Sequence, residues 1–376
     1  MDVISFIERI RNLEIEYITG VPDSTLKNFC FYLSYQKDDN IKHLVAANEG
    51  AAVGIAAGVY LSTGKPACIY MQNSGMGNAV NPIVSLLNEK VYAIPALFII
   101  GWRGQPGIKD EPQHIFQGEI TRDLCNVMNI SHGIIGKDTT EGELDAIFHE
   151  AKESLDAGKQ YAVIIKQDTF DNINCKKNVN KYTLVREEAI AEIIRNSKDD
   201  DVIVSTTGKI SREVYTQCDN IKKNHKQSFL TVGSMGHASM IALGIALNKK
   251  NKTVICIDGD GAALMHMGAL PTIAKQNPRN MIHVVLYNDA HESVGGMDTC
   301  APGLSIAEIA KASGYKETYY VEDLDSLRSA FKKAYLSQNV AMIEVKVSLF
   351  SRKDLIRPKE SAIENKENFI MFHEFY

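Results

Sequence analysis

A repeated alternation of β-type and helical runs constrains this chain more than any other feature. Residues 93–100 (AIPALFII) carry no polar side chain, so a strand there is buried on both faces. Strands of that kind belong to parallel sheets covered by helices on both sides. Residues 14–19, 41–46 and 66–71 also read as strands, and 3–11, 24–35, 49–61 and 78–87 as helices. After a polar stretch the alternation resumes. Helices are expected over 187–197, from 211, and over 237–247, 264–275 and 323–335. Strands are expected over 201–205, 229–232, 253–257, 281–287 and 341–347. The pattern predicts an α/β fold of two doubly wound parallel-sheet domains, 1–172 and 183–350. A linker is expected at 173–182. The charged tail, 351–376, is expected to be loose or to wrap a neighbour.

An internal echo supports two related halves. Gly58 and Gly75 are 17 residues apart, as are Gly244 and Gly261. Each pair spans the end of an Ala/Gly-rich helix, a lysine, a strand containing Cys-Ile and a Gly-rich turn. Two domains of one architecture would each place a loop at the C-terminal ends of parallel strands, where such sheets bind ligands.

Charge and cysteine usage exclude several classes. The net charge of −5, with no polybasic run, speaks against nucleic acid or a membrane surface as partner. The apolar run at 93–100 is far below the roughly 20 residues of a membrane span. Asp2, Glu8 and Arg9 interrupt the first residues, which lack the apolar block of a secretion signal. The seven cysteines are scattered, with no C-x-x-C pair. They read as reduced thiols and packing residues, and a cytoplasmic location is expected.

The sharpest chemical feature is Gly259-Asp260-Gly261 after the strand at 253–257, with Asn288 after the strand at 281–287. Between Gly261 and Asn288 lie 26 residues. Neighbouring strands of a parallel sheet can aim Asp260 and Asn288 at one spot. Their oxygens are hard ligands suited to Mg²⁺ or Ca²⁺. The glycines admit a phosphate close to the backbone, and the following helix offers its positive end. An EF-hand beginning at Asp258 would need Asp or Asn at 262 and Glu at 269, and both are Ala. A G-x-G-x-x-G beginning at Gly259 would need Gly at 264, which is Leu264, and no P-loop pattern occurs. Gly-Asp-Gly is also a common tight turn.

GDG followed by 26 residues and Asn resembles the metal–diphosphate signature of the thiamine-diphosphate-dependent decarboxylases. The likeness extends over nearly the whole chain, through 20–29 (GVPDSTLKNF), 48–52 (NEGAA), 109–121 (KDEPQHIFQGEIT), 206–213 (TTGKISRE), 231–239 (TVGSMGHAS) and 287–299 (YNDAHESVGGMDT). The resemblance implies thiamine diphosphate and Mg²⁺ as cofactors, and an architecture without the central third domain of larger relatives. It implies a pyrimidine-binding first domain and a Mg²⁺/diphosphate-binding second domain. Asp260, Asn288 and Ala290 would hold the metal. Gly208, Ser234, Met235, Gly259, Gly261, Ala262 and His291 would join Asp260 and Asn288 around the cofactor, with Met235 as the apolar wedge between its rings. Glu49 would be the catalytic group, sharing a proton with the pyrimidine ring nitrogen. Glu49 is also what a helix N-terminus favours, and Met235 also reads as a core methionine.

The same resemblance implies a 2-oxo acid as substrate and a cofactor held between the first domain of one chain and the second of another. A homo-oligomer, at least a dimer, is therefore expected. The motifs are nearest to the branch that decarboxylates 3-phosphonopyruvate to phosphonoacetaldehyde and CO₂ in phosphonate biosynthesis, such as that of 2-aminoethylphosphonate. Sulfopyruvate is the alternative substrate. A non-catalytic regulatory subunit is the alternative of another class, and the joint presence of Glu49, Asp260 and Asn288 speaks against it. For a doubly anionic substrate, Arg103, Lys109, His114 and Lys209 are the candidate cations, each also readable as a solvated surface charge. Asp23 and Ser24 are candidates beside them, although Asp-Ser-Thr before a helix is an ordinary cap.

Overall fold

A computed structural model describes residues 1–35, 40–173, 179–349 and 351–375. The chain divides into two compact units, Met1–Lys177 and Asn178–Tyr376. Half of the expected linker, residues 174–178, lies outside the described residues, and so does Cys175. The six described cysteines are free thiols, five of them buried.

The first unit runs α1 (Val3–Arg11), β1 (Tyr17–Gly20), α2 (Lys27–Tyr35), β2 (Lys42–Val45), α3 (Glu49–Thr63), β3 (Ala67–Gln72), α4 (Met76–Pro82), β4 (Ala96–Gly101), α5 (Pro112–Val127), β5 (Ser131–Ile135), α6 (Glu141–Asp156) and β6 (Gln160–Ile165). Its six strands pair in the order β2-β1-β3-β4-β6-β5, all parallel. Every residue of β4 is buried, as its unbroken apolar sequence requires.

The second unit runs α7 (Arg186–Asn196), β7 (Val202–Ser205), α8 (Lys209–Lys222), β8 (Ser228–Leu230), α9 (Ala238–Asn248), β9 (Val254–Gly259), α10 (Asp260–Met265), α11 (Ala269–Gln276), β10 (Met281–Tyr287), β11 (Ala290–His291), β12 (Met297–Asp298), α12 (Ile306–Ala312), β13 (Glu317–Val321), α13 (Leu324–Ser337), β14 (Ala341–Lys346) and α14 (Ala362–Phe375). Six strands form a parallel sheet in the order β13-β14-β10-β9-β7-β8, while β11 and β12 make a small antiparallel ribbon.

Numbering the main-sheet strands by their place within each unit gives the same order, 2-1-3-4-6-5, in both. The glycine echo falls on equivalent places: Gly58 and Gly244 on α3 and α9, Gly75 and Gly261 just beyond β3 and β9. In this order the connection reverses direction between the first and third strands. A crevice therefore opens at their carboxyl ends, where open α/β sheets take ligands. In the first unit that point lies after Gly20 and Gln72, and in the second after Ser205 and Gly259.

Three local expectations change. The helix expected at 264–275 is two helices, α10 and α11, broken at His266–Gly268. Pro271 stands in the first turn of α11, where its ring clashes with a helical carbonyl four residues back and bars a continuous helix. The helix expected at 78–87 begins earlier and divides into α4 and a wider π-turn over Ile83–Leu87, directly after Pro82.

The tail, in turn, is no loose segment: α14 packs on its own unit. Asn365 accepts from the Leu230 N–H at 3.0 Å and donates to the Ser228 carbonyl at 3.1 Å, closing the open edge of β8. Phe369 meets Phe229 edge-on, and Lys249 donates to the His373 carbonyl at 2.7 Å.

Candidate active site

In the second unit the switch-point crevice is built by three strand ends. β7 runs into Gly208, whose φ of +92° and ψ of −138° suit glycine alone, and α8 starts at once with Lys209. β9 runs into Asp260, the first residue of α10, and β10 runs into Asn288. The Asp260 side chain ties these ends together. One carboxylate oxygen accepts the N–H of Gly261 at 2.6 Å, and the other accepts those of Asn288 at 3.0 Å and Asp289 at 2.8 Å. The Asn288 side-chain oxygen accepts from the Ala290 N–H at 3.1 Å.

Asp260 and Asn288, 28 residues apart, are therefore brought together, and both are nearly buried. Burial pushes the Asp260 carboxyl up to about 7 against the pull of its three N–H donors. Three of roughly four carboxylate acceptor positions are used, and one of two on the Asn288 oxygen. What remains is a pair of hard oxygen ligands, a donor set that fits Mg²⁺.

The same cleft is lined by Gly208, Met235, Gly259, Gly261 and Ala262, and by Ala290 and His291 across from them. A Cβ on Gly261 would stand 3.0 Å from the His291 ring, so the glycine leaves space that a side chain would take. Burial pushes His291 down to about 4, so the ring is neutral at pH 7. Ser234 departs from expectation. It is exposed, with φ +46°, and its hydroxyl pairs with His237 at 3.1 Å rather than lining this cleft. Turn geometry turns it outward while its neighbour Met235 faces in.

Lys209 lines the cleft but is not an open cation. Its ammonium donates to Glu292 at 2.8 Å. Glu292 also accepts from Ser351 and pairs with buried Arg186, which in turn forks onto Glu213 at 2.7 and 2.8 Å. Sequence reasoning singled out neither Glu292 nor Arg186 for this site, because the partners lie 83 and 106 residues apart along the chain.

The equivalent crevice of the first unit holds Glu49, the first residue of α3. Asn48 caps that helix by accepting from the Ala51 N–H at 2.8 Å, and Glu49 is 5% exposed. Its carboxylate accepts from the Asn78 amide at 2.8 Å. A Cβ on Gly75 would fall 2.4 Å from the same carboxylate, so the glycine of the internal echo makes room for Glu49. Burial pushes the Glu49 pKa up, and the Asn78 hydrogen bond opposes it.

The expected substrate residues cluster at the C-terminal edge of this sheet. Asp23 is fully buried. One oxygen caps α2's approach by accepting from Thr25 and Leu26, and the other accepts from Gln72 at 2.6 Å. Ser24 accepts from Arg103 at 2.9 Å. Arg103 is not a free anion receptor, because Asp110, returning in the same loop, forks onto its guanidinium. Asp110 also accepts from the Gly104 and Glu111 N–H groups and from Gln167. Its carboxyl is held well below the usual range by Arg103 and these N–H donors. His114 is half-buried nearby; burial and the Arg103 charge push its pKa down. Lys109 is exposed. Asp110, Gln72 and Asn78 were not singled out from sequence, although Asp110 stands inside the quoted segment 109–121, and Gly75 was singled out only for the internal echo.

Comparisons with known proteins identify the family. Residues 4–127 match the family described as thiamine pyrophosphate enzyme, N-terminal TPP binding domain, and 207–345 match its C-terminal TPP binding domain. A phosphonopyruvate decarboxylase of Streptomyces viridochromogenes is 33% identical over 96% of this chain and 92% of its own length. One from Streptomyces hygroscopicus is 32% identical over the same shares, and a sulfopyruvate decarboxylase of Methanosarcina acetivorans is 29% identical over 90% of this chain and 89% of its own. With both TPP-binding domain models matched and relatives 32% and 33% identical over 96% of the chain, the chain belongs to the thiamine pyrophosphate enzymes, in the family of the phosphonopyruvate decarboxylases.

Proposed function

We propose that this protein decarboxylates 3-phosphonopyruvate to phosphonoacetaldehyde and CO₂, using thiamine diphosphate and Mg²⁺, in phosphonate biosynthesis in the cytoplasm. The observation that carries the reading is the joining of Asp260 to the Asn288–Ala290 turn, which leaves two hard oxygens free beside a glycine-lined cleft. The substrate follows the named relatives, of which the two phosphonopyruvate decarboxylases are somewhat more similar than the sulfopyruvate enzyme.

Asp260, Asn288 and the backbone at Ala290 hold Mg²⁺ in this reading. The start of α8 and the Gly259–Gly261 turn receive the diphosphate, whose charge suits a helix N-terminus. Met235 presents a soft thioether to the cofactor rings. Bound thiamine diphosphate supplies a carbon nucleophile and an electron sink for the departing carboxylate. Glu49 supplies the proton transfer that generates the nucleophile. Its burial raises the carboxyl pKa toward that of a partner nitrogen, the condition for easy proton exchange. Asp23 and His114 manage protons and polar groups of the substrate, and Lys109 balances its negative charge, joined by Arg103 and Lys209 where substrate displaces Asp110 and Glu292 from them. Two copies of the chain complete each site, one giving its first unit and the other its second.

The deciding experiment is CO₂ release from phosphonopyruvate, sulfopyruvate and pyruvate, each with and without thiamine diphosphate and Mg²⁺. Phosphonopyruvate should give the highest kcat/KM, with activity lost on chelation and restored by Mg²⁺. Preference for sulfopyruvate would replace the substrate, and full activity in chelator without bound metal would remove the Mg²⁺ site.

A further inference from the structure

Beneath the turn that opens α10 runs a buried polar chain in a core face otherwise lined by Val202, Val204, Leu264 and Val285. Asp258, His283 and Tyr315 are 0%, 1% and 4% exposed. β9 and β10 are in register with Cys256 opposite His283, and strand alternation puts Asp258 on the same face as Cys256. The Tyr315 hydroxyl stands 3.3 Å from Nδ1 of His283, and Nε2 of His283 stands 3.4 Å from Asp258. The other Asp258 oxygen accepts the N–H of Gly259 at 2.9 Å. That N–H belongs to the Asp258–Gly259 peptide, one residue before Asp260.

Polar groups in such a core are costly unless each is paired. Here one tautomer satisfies the imidazole: Nε2–H donates to Asp258 and Nδ1 accepts from the Tyr315 hydroxyl. The carboxylate so anchored fixes the direction of the Gly259 peptide. Asp260, one residue later, has its own carboxylate aimed by three N–H groups, and those contacts hold only if the backbone enters the turn at this angle. Support of this kind, a hydrogen bond behind the residues that face a metal, is what sets ligand geometry in metal sites generally.

We infer that His283 and Tyr315 are positioning residues that act through Asp258 on the Gly259–Asp260 turn and so set the affinity for Mg²⁺ and diphosphate. The inference rests on Asp260 being a metal ligand, as proposed above. Tyr315→Phe removes a single hydroxyl, His283→Leu cuts the chain, and His283→Gln returns an N–H near the Nε2 position. The readouts are the equilibrium half-saturation for Mg²⁺ at fixed thiamine diphosphate, kcat at saturation, and the thermal midpoint of the metal-free protein. His283→Leu should weaken Mg²⁺ by ~10–100-fold, the usual effect of removing such a partner, with kcat at saturation nearly unchanged. His283→Gln should recover most of that loss, and Tyr315→Phe should shift the half-saturation in the same direction by a smaller factor.

Variants that lower the thermal midpoint without moving the half-saturation overturn the inference. If His283→Leu does not fold, Tyr315→Phe decides alone. The ligand atoms of Cys256, Asp258 and His283 lie within 4.8 Å of one another. One zinc bound per purified chain and released by Cys256→Ser would therefore also overturn it, by making this cluster a metal site instead. Asp260→Ala separates the two levels. If it weakens Mg²⁺ while His283→Leu does not, only the positioning role falls; if Asp260→Ala has no effect, the reading of Asp260 falls and this inference with it.

Discussion

Glu49→Gln isolates the step on which the proposed chemistry rests. The change keeps the side chain's size and the hydrogen bond to Asn78, and it replaces a buried carboxyl by a buried amide beside Gly75. The proposed diphosphate and metal contacts are all in the second unit, so cofactor binding should weaken only modestly. The lost function is proton exchange with the pyrimidine nitrogen, worth ~10²–10⁴-fold for a placed general acid–base group. At about 1.4 kcal/mol per tenfold, that is about 3–5 kcal/mol of barrier. The assay is exchange of the thiazolium proton with deuterated solvent, followed by quenched-flow NMR, alongside CO₂ release. Both rates should fall together, and Glu49→Asp should fall between.

The same variant carries a stability signature. Burial raises the folded-state pKa of Glu49 above its unfolded value of about 4.5. The wild type is therefore penalised once pH rises above about 4.5, and fully so above the folded pKa. Glu49→Gln escapes that penalty. Its thermal midpoint should exceed the wild type's at pH 8, with the advantage fading as pH falls to 4. A Gln variant that folds, binds cofactor and exchanges the proton at the wild-type rate would leave Glu49 as a mere helix-terminus carboxylate.

Two further outcomes are expected. A Glu49→Gln chain and an Asp260→Ala chain, each nearly inactive, should regain part of the activity when dissociated and reassembled together, because one hybrid site then has both residues; absence of recovery in demonstrated mixed oligomers would mean that each chain completes its own site. Asn365→Leu should cost about 1–3 kcal/mol in denaturant unfolding, since it strands the Leu230 N–H and the Ser228 carbonyl at a buried strand edge; unchanged stability would mean that α14 adds nothing to the second unit.

The sequence alone determined what is written in local pattern. The unbroken apolar run of β4, the Ala/Gly-rich α3 and α9, and the glycine turns after β3 and β9 are short-range signals, and each specifies its element without help from the rest. The 26-residue interval between Gly261 and Asn288 also survives as geometry, because one helical crossover between adjacent parallel strands returns the chain to the same sheet edge. The equal strand order of the two units follows from the same repeated pattern.

What only tertiary structure decided is which charges meet. Arg103 and Lys209 looked like open cations; Asp110 and Glu292 occupy them, because ion pairs in a partly buried crevice depend on where loops return rather than on spacing. The tail read as loose or as wrapping a neighbour because α14 is charged and its apolar residues only make sense against the edge of β8. His283 and Tyr315 drew no notice, and Asp258 only as the start of a rejected EF-hand, since a buried polar residue gains its meaning from the neighbours that burial assigns to it. Local sequence sets backbone conformation through short-range sterics and patterning, whereas the pairing of buried polar groups is fixed by desolvation, which is felt only once the whole unit has closed around them.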